Sequence, residues 1–155
     1  MYKFKHIALL AATAGLIGLG GCATQKSAGP SAATGSVAPD KVVYHLNQGN
    51  EQASDALRNI NNHLQVNPAA KIVVVTHAKG VDFLMDGATD KNGNPYNVPV
   101  EALKAKGVKF DVCEITLKSR NLDKAKFIPE ASFVPSGVAE VAKLQAREGF
   151  VYVKP

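Results

Sequence analysis

Lys71-Ile-Val-Val-Val-Thr76 decides the fold, because it is a short β-branched run that is apolar on both faces. Lys41-Val-Val-Tyr-His-Leu46 repeats the pattern earlier in the chain. Strands buried on both faces belong to a parallel sheet covered by helices on each side. Val108-Lys-Phe-Asp-Val-Cys113 reads as a third strand, with Lys109 and Asp111 marking a less covered face or position. Phe150-Val-Tyr-Val153 reads as a fourth.

Helix signals lie between these runs. Asn50 is expected to cap a helix with apolar residues at Ala53, Ala56, Leu57, Ile60 and Leu64, stopped by Asn67-Pro68. Val100 to Lys106 reads as a shorter helix ending at Gly107. Ser136 is expected to cap a last helix bearing Val138, Val141, Ala142 and Leu144 and ending at Gly149. The polar stretch Asp86 to Pro99 reads as a loop. Strands alternating with helices in this way predict an α/β fold: a three-layer α/β/α sandwich around a mainly parallel sheet of about five strands.

Working outward, residues 41–155 make one domain of ordinary size. Residues 22–40 are rich in Ala, Ser, Gly, Thr and Pro and too poor in large apolar groups to offset ordering entropy, so a flexible tether is expected. Ahead of it, Lys3, Lys5 and His6 precede the Ala/Leu/Ile/Gly run Ile7 to Leu19, the layout of a secretory signal over residues 1–21. That run is shorter than the ~20 residues needed to span a bilayer. Leu19-Gly20-Gly21-Cys22 has the form of a bacterial lipobox, which implies lipidation of Cys22. A plain signal peptide cut near Ala23, or an uncleaved anchor, are the other readings. Ala23 after the cysteine leans toward the periplasmic side of the outer membrane rather than the inner.

Charge narrows the function classes. Loss of Lys3 and Lys5 with the signal takes the net charge from +5 to +3, and the remaining basic residues are scattered among acidic ones. No single-sign stripe with interleaved aromatics exists, so nucleic acid is not an expected partner.

Ligands of open α/β sheets collect beyond the carboxyl ends of the strands. There the sequence places His45 and Asn47, then Thr76 and His77, then Cys113 with Glu114 and Thr116. Cys113 precedes a short predicted helix, Ile115 to Arg120, whose amides and dipole favour thiolate, while Glu114 opposes it. Inert packing and reactive thiol are equally open readings of these residues. His63, on the polar flank of the first helix, reads as solvated.

Gly107-Val-Lys-Phe-Asp-Val-Cys-Glu-Ile-Thr-Leu-Lys118 resembles the cysteine segment of the DsrE/DsrF-like family. Val134 to Ala142 and Gly149 to Pro155 are similar to its C-terminus, and 41–46 with 56–64 to its opening βα unit. The resemblance implies a parallel α/β sandwich assembling into trimers or hexamers, with a persulfide on the cysteine matching Cys113 in sulfur-relay chemistry. It implies a sulfane sulfur donor or acceptor protein as partner. Cofactor and metal are not expected. The family motif usually reads Cys-x-Asn-Thr-Leu where this chain has Ile115, and His-Gly where it has His77-Ala78.

On this reading Cys113 is the nucleophile, and His77 holds the thiol ionised or binds an anionic donor. His45, Asn47 and Thr116 are ligand-binding candidates. A non-catalytic small-ligand or partner-binding lipoprotein on the same fold is the alternative, and a metal site built from His45, His77 and Cys113 a third.

Overall fold

The computed structural model describes residues 38–155. The signal segment, the lipobox cysteine Cys22 and nearly all of the tether lie outside the described residues. Five strands form one parallel sheet: β1 (Lys41–Leu46), β2 (Lys71–Thr76), β3 (Lys109–Cys113), β4 (Ala131–Val134) and β5 (Val151–Val153), in the order β4-β3-β2-β1-β5. The helices are α1 (Asn50–Val66), α2 (Asn97–Ala105), α3 (Glu114–Ser119) and α4 (Gly137–Glu148), with 3₁₀ segments at Ala78–Leu84 and Lys124–Lys126. No helix among the described residues is long and apolar enough to cross a membrane.

The strand order explains the layers. From β1 to β4 the chain steps steadily across the sheet, and its connections cover one face. Val42, Tyr44, Ile72, Val74, Phe110 and Val112 meet α1, α2 and α3 there. The chain then returns from β4 to the far side of β1 through α4, which must cross the opposite face. Val43, Val73 and Val75 meet Val141 and Leu144 of α4 on that side. The first core is large and the second small. Ile60 and Phe110 are fully buried in the large one, where truncation to alanine costs about 2–5 kcal/mol.

Local chemistry sets the element ends. The apolar positions expected for α1 are all buried. Its N-cap is Gly49 rather than Asn50, whose side-chain amide instead donates to the Thr89 carbonyl at 3.1 Å. Gln52, three residues into the helix, accepts from the Asn47 and Gln48 amides at 2.9 and 2.8 Å, tying down the two residues ahead of the N-cap. Ser136 caps α4 through the Ala139 amide, and Gly149 ends it at φ 72°.

Other expectations are corrected as well. The third strand is interior, not marginal, and Asp111 is buried on its α4 side. The strand at Ala131–Val134 escaped the sequence because four half-buried residues carry no period to read. Val138, assigned to the buried face of α4, is 62% exposed. The loop from Asp86 ends early, because buried Tyr96 packs edge-to-face on Phe83 and α2 starts at Asn97.

Candidate functional site

β3 and β4 are neighbours whose onward connections leave on opposite faces of the sheet, to α3 and to α4. Such a divergence opens a crevice at the carboxyl ends of the strands. Cys113 is the last residue of β3, the N-cap of α3, and the register partner of Val134 at the end of β4. The thiol is therefore at the switch point, between the N-termini of two helices.

Gly137 brings the second helix close. A Cβ at this position would lie 3.2 Å from Cys113 Cβ, 3.2 Å from the Thr76 carbonyl oxygen and 3.3 Å from His77 Cβ. Only glycine lets the first turn of α4 approach this near. The Gly137 amide then faces the sulfur, together with the Ile115 and Thr116 amides and the Thr116 hydroxyl. Burial, which leaves Cys113 3% exposed, pushes the thiol up. These donors more than offset it and hold the thiol below its ordinary value of 9.0.

Thr116 is fixed by a bond of its own. The Ala78 amide donates to its hydroxyl oxygen at 3.0 Å, which leaves the hydroxyl proton to be given to the sulfur. Ala78 adopts φ 50°, a left-handed conformation natural to the glycine of the family motif. Glu114, expected to oppose ionisation, is paired with Lys124 at 2.5 Å. Ile115 is 60% exposed beside the site and lines an open surface recess with Leu117, Lys124 and Pro135.

The two histidines pair with each other beside the thiol. Thr76 pairs with Val112, so the next row sets His77 beside Cys113. His45 pairs with Val75 and lies one side-chain step deeper on the same face. Their rings stack, and His77 Nε2 meets His45 Nε2 at 2.7 Å. His45 Nδ1 meets the Tyr152 hydroxyl at 2.8 Å. Burial lowers both imidazoles, His77 further lowers His45, and Lys154 lowers both. The groups that lower the Cys113 thiol are the Gly137, Thr116 and Ile115 amides and the Thr116 hydroxyl.

Asn47 comes near this edge, but its side-chain oxygen is buried without a hydrogen-bond partner among the described residues. His63 is not simply solvated: it lies 3.4 Å from the Tyr44 hydroxyl and 3.5 Å from Asp40. No group of three or more His, Cys, Asp or Glu side chains among the described residues is placed to hold a metal ion. Two imidazole nitrogens on one tetrahedral zinc stand about 3.3 Å apart, so a metal would first have to part the pair. Tyr152, Gly137 and Lys154 are the site residues that sequence reasoning missed.

A model of the DsrE/DsrF-like family matches residues 40–155. This chain belongs to the DsrE/DsrF-like family. Two solved structures share the fold. A protein of unknown function, MTH1491, from Methanobacterium thermoautotrophicum is 26% identical, with a TM-score of 0.67 over 75% of this chain and 99% of its own. The ychN protein from E. coli is 15% identical, with a TM-score of 0.63 over 75% of this chain and 99% of its own. No curated protein matches. The DsrE/DsrF-like family is generally linked to sulfur relay. The parallel five-stranded sheet described above is the architecture that this DsrE/DsrF-like chain shares with both neighbours.

Proposed function

We propose that this protein is a sulfur carrier or sulfurtransferase of the bacterial envelope, lipid-anchored through Cys22, working through a persulfide on Cys113. The observation that carries the reading is the place of Cys113 at the switch point of the sheet, where Ile115, Thr116 and Gly137 at the starts of α3 and α4 favour its thiolate. A thiolate stabilised there is the nucleophilic form.

The step balances without an outside oxidant or reductant. The Cys113 thiolate attacks the sulfane sulfur of a polysulfide, a protein persulfide or thiosulfate. The S–S bond of the donor breaks, and its electron pair leaves with the shortened polysulfide, the thiolate or sulfite. Cys113 then carries S–S⁻, and an acceptor thiolate attacks the outer sulfur and frees Cys113 again. Cys113 is the free cysteine of the described residues, so both partners are other molecules. The partners are a sulfane sulfur donor or acceptor protein, and family kinship supports assembly into a trimer or hexamer.

The test is loading followed by discharge. The full chain is exposed to limiting polysulfide, desalted and treated with cyanide. The reading expects Cys113 to gain one sulfur by mass, and thiocyanate to form in equal amount. Cys113→Ser should give neither. A wild-type chain that gains no sulfur on Cys113 defeats it.

One observation favours the second reading, a binding lipoprotein that kept the fold without the chemistry. Cys113 is 3% exposed. If burial dominates, the folded thiol reacts more slowly than the unfolded one.

A further inference from the structure

The histidine pair is the group of titratable side chains that the persulfide step does not use. Two imidazole nitrogens 2.7 Å apart hold one hydrogen between them, because two lone pairs or two N–H groups would repel at that distance. His45 Nδ1 is occupied by Tyr152. His77 Nδ1 has no hydrogen-bond partner among the described residues and is not among their buried unpartnered atoms. It is the open end of the chain.

Alternation decides which way that end lies. Residues two apart on a strand share a face. His45 follows Val43, His77 follows Val75, and Cys113 follows Asp111, whose register partner is Val75. Val43 and Val75 pack on the α4 side. Lys154 shares parity with Tyr152, whose hydroxyl reaches His45, and its charge is felt by both imidazoles. His77 and Cys113 thus open on the same side of the sheet, both against Gly137, and Lys154 shares their side by parity.

We propose that the Tyr152–His45–His77 chain is an anion receptor: His77 Nδ1–H and the Lys154 ammonium hold a small divalent sulfur oxyanion, and the pair takes up one proton as the anion binds. Thiosulfate is the ligand as donor, and sulfite as leaving group. In the protonated pair His45 donates from Nδ1 to the Tyr152 oxygen, one proton is shared between the two Nε2 atoms, and His77 presents Nδ1–H outward. Without the anion, burial and Lys154 disfavour the charged form of both imidazoles. A dianion beside His77 cancels both effects and draws the proton in.

This inference names the ligand of the same crevice and rests on the proposed function only for the site's location. It is tested without sulfur transfer, on the full chain carrying Cys113→Ser. Thiosulfate is titrated calorimetrically near neutral pH in two buffers of different ionisation enthalpy. The receptor takes up roughly one proton per anion. His77→Gln abolishes the uptake and weakens binding about tenfold or more, as loss of a charge-assisted hydrogen bond does. Imidazole ¹⁵N spectra of the same chain with both histidines intact provide a check that needs no fold-sensitive variant: thiosulfate should shift His77 Nδ1 first. Binding without proton uptake, uptake that persists in His77→Gln, an unmoved His77 resonance, or no binding at millimolar thiosulfate each overturns the proposal. Persulfide loading of wild-type Cys113 is a separate result, so either idea can fail alone.

Discussion

The Ala78 amide donates to the Thr116 hydroxyl oxygen at 3.0 Å, which leaves the hydroxyl its one proton for Cys113, whose thiol Thr116 helps to lower. Thr116→Val keeps the shape and removes the donor. A hydrogen bond to a charged acceptor contributes about 1.5–3 kcal/mol, so the Cys113 thiol should titrate roughly one to two units higher. Thr116→Ser should restore it. Thiolate absorbance against pH measures both, and a valine variant that titrates like wild type removes Thr116 from the site.

Ala78 holds this arrangement at φ 50°. A side chain in that conformation costs roughly 1–2 kcal/mol, part of which a glycine would return as unfolded-chain entropy. Ala78→Gly should therefore stabilise the domain by about 0.5–1 kcal/mol in urea unfolding, with the Cys113 titration unchanged. A destabilised variant would show that Ala78 is not strained.

Gly137 carries the opposite expectation. A methyl there meets Cys113 Cβ, the Thr76 carbonyl and His77 Cβ at 3.2–3.3 Å, and α4 must yield. Gly137→Ala should cost about 1–3 kcal/mol by overpacking. It should also raise the thiol titration, since the Gly137 amide leaves the sulfur. Loss of stability with no change in the titration would mean that α4 contributes packing alone.

The histidine pair gives stability a pH dependence of known sign. Both imidazoles lie below their ordinary 6.5 when folded, so between those lowered values and about 6.5 the unfolded chain binds more protons. Stability is full above that window, falls as pH drops through it, and stops falling below the folded values. The double variant His45→Asn, His77→Gln should flatten this slope in urea midpoints measured across the window. An unchanged slope places the titrating groups elsewhere.

Much of this was legible in the chain. Lys71–Thr76 and Lys41–Leu46 announce a doubly covered parallel sheet, and Ser136 and Gly149 bracket α4, because burial period and capping are local properties. Cys113 and His77 were found by their place at strand ends. Tyr152, Lys154 and Gly137 were not, because each acts through a neighbour distant in sequence. Tyr152 reaches His45 across 107 residues, and nothing in Phe150-Val-Tyr-Val153 marks the hydroxyl as functional. The edge strand Ala131–Val134 was silent for a different reason: it is short and only half buried.

The account turns on whether the fold activates Cys113 or shields it. The direct measurement is the rate of Cys113 alkylation by a small neutral reagent, followed by mass across pH, in the folded chain and in the same chain unfolded by guanidinium. An activated thiolate gives a folded profile with its midpoint below the ordinary 9.0 and, at neutral pH, a rate above that of the unfolded chain. A folded thiol that is slower at every pH contradicts the account, and makes the residue a capped core side chain.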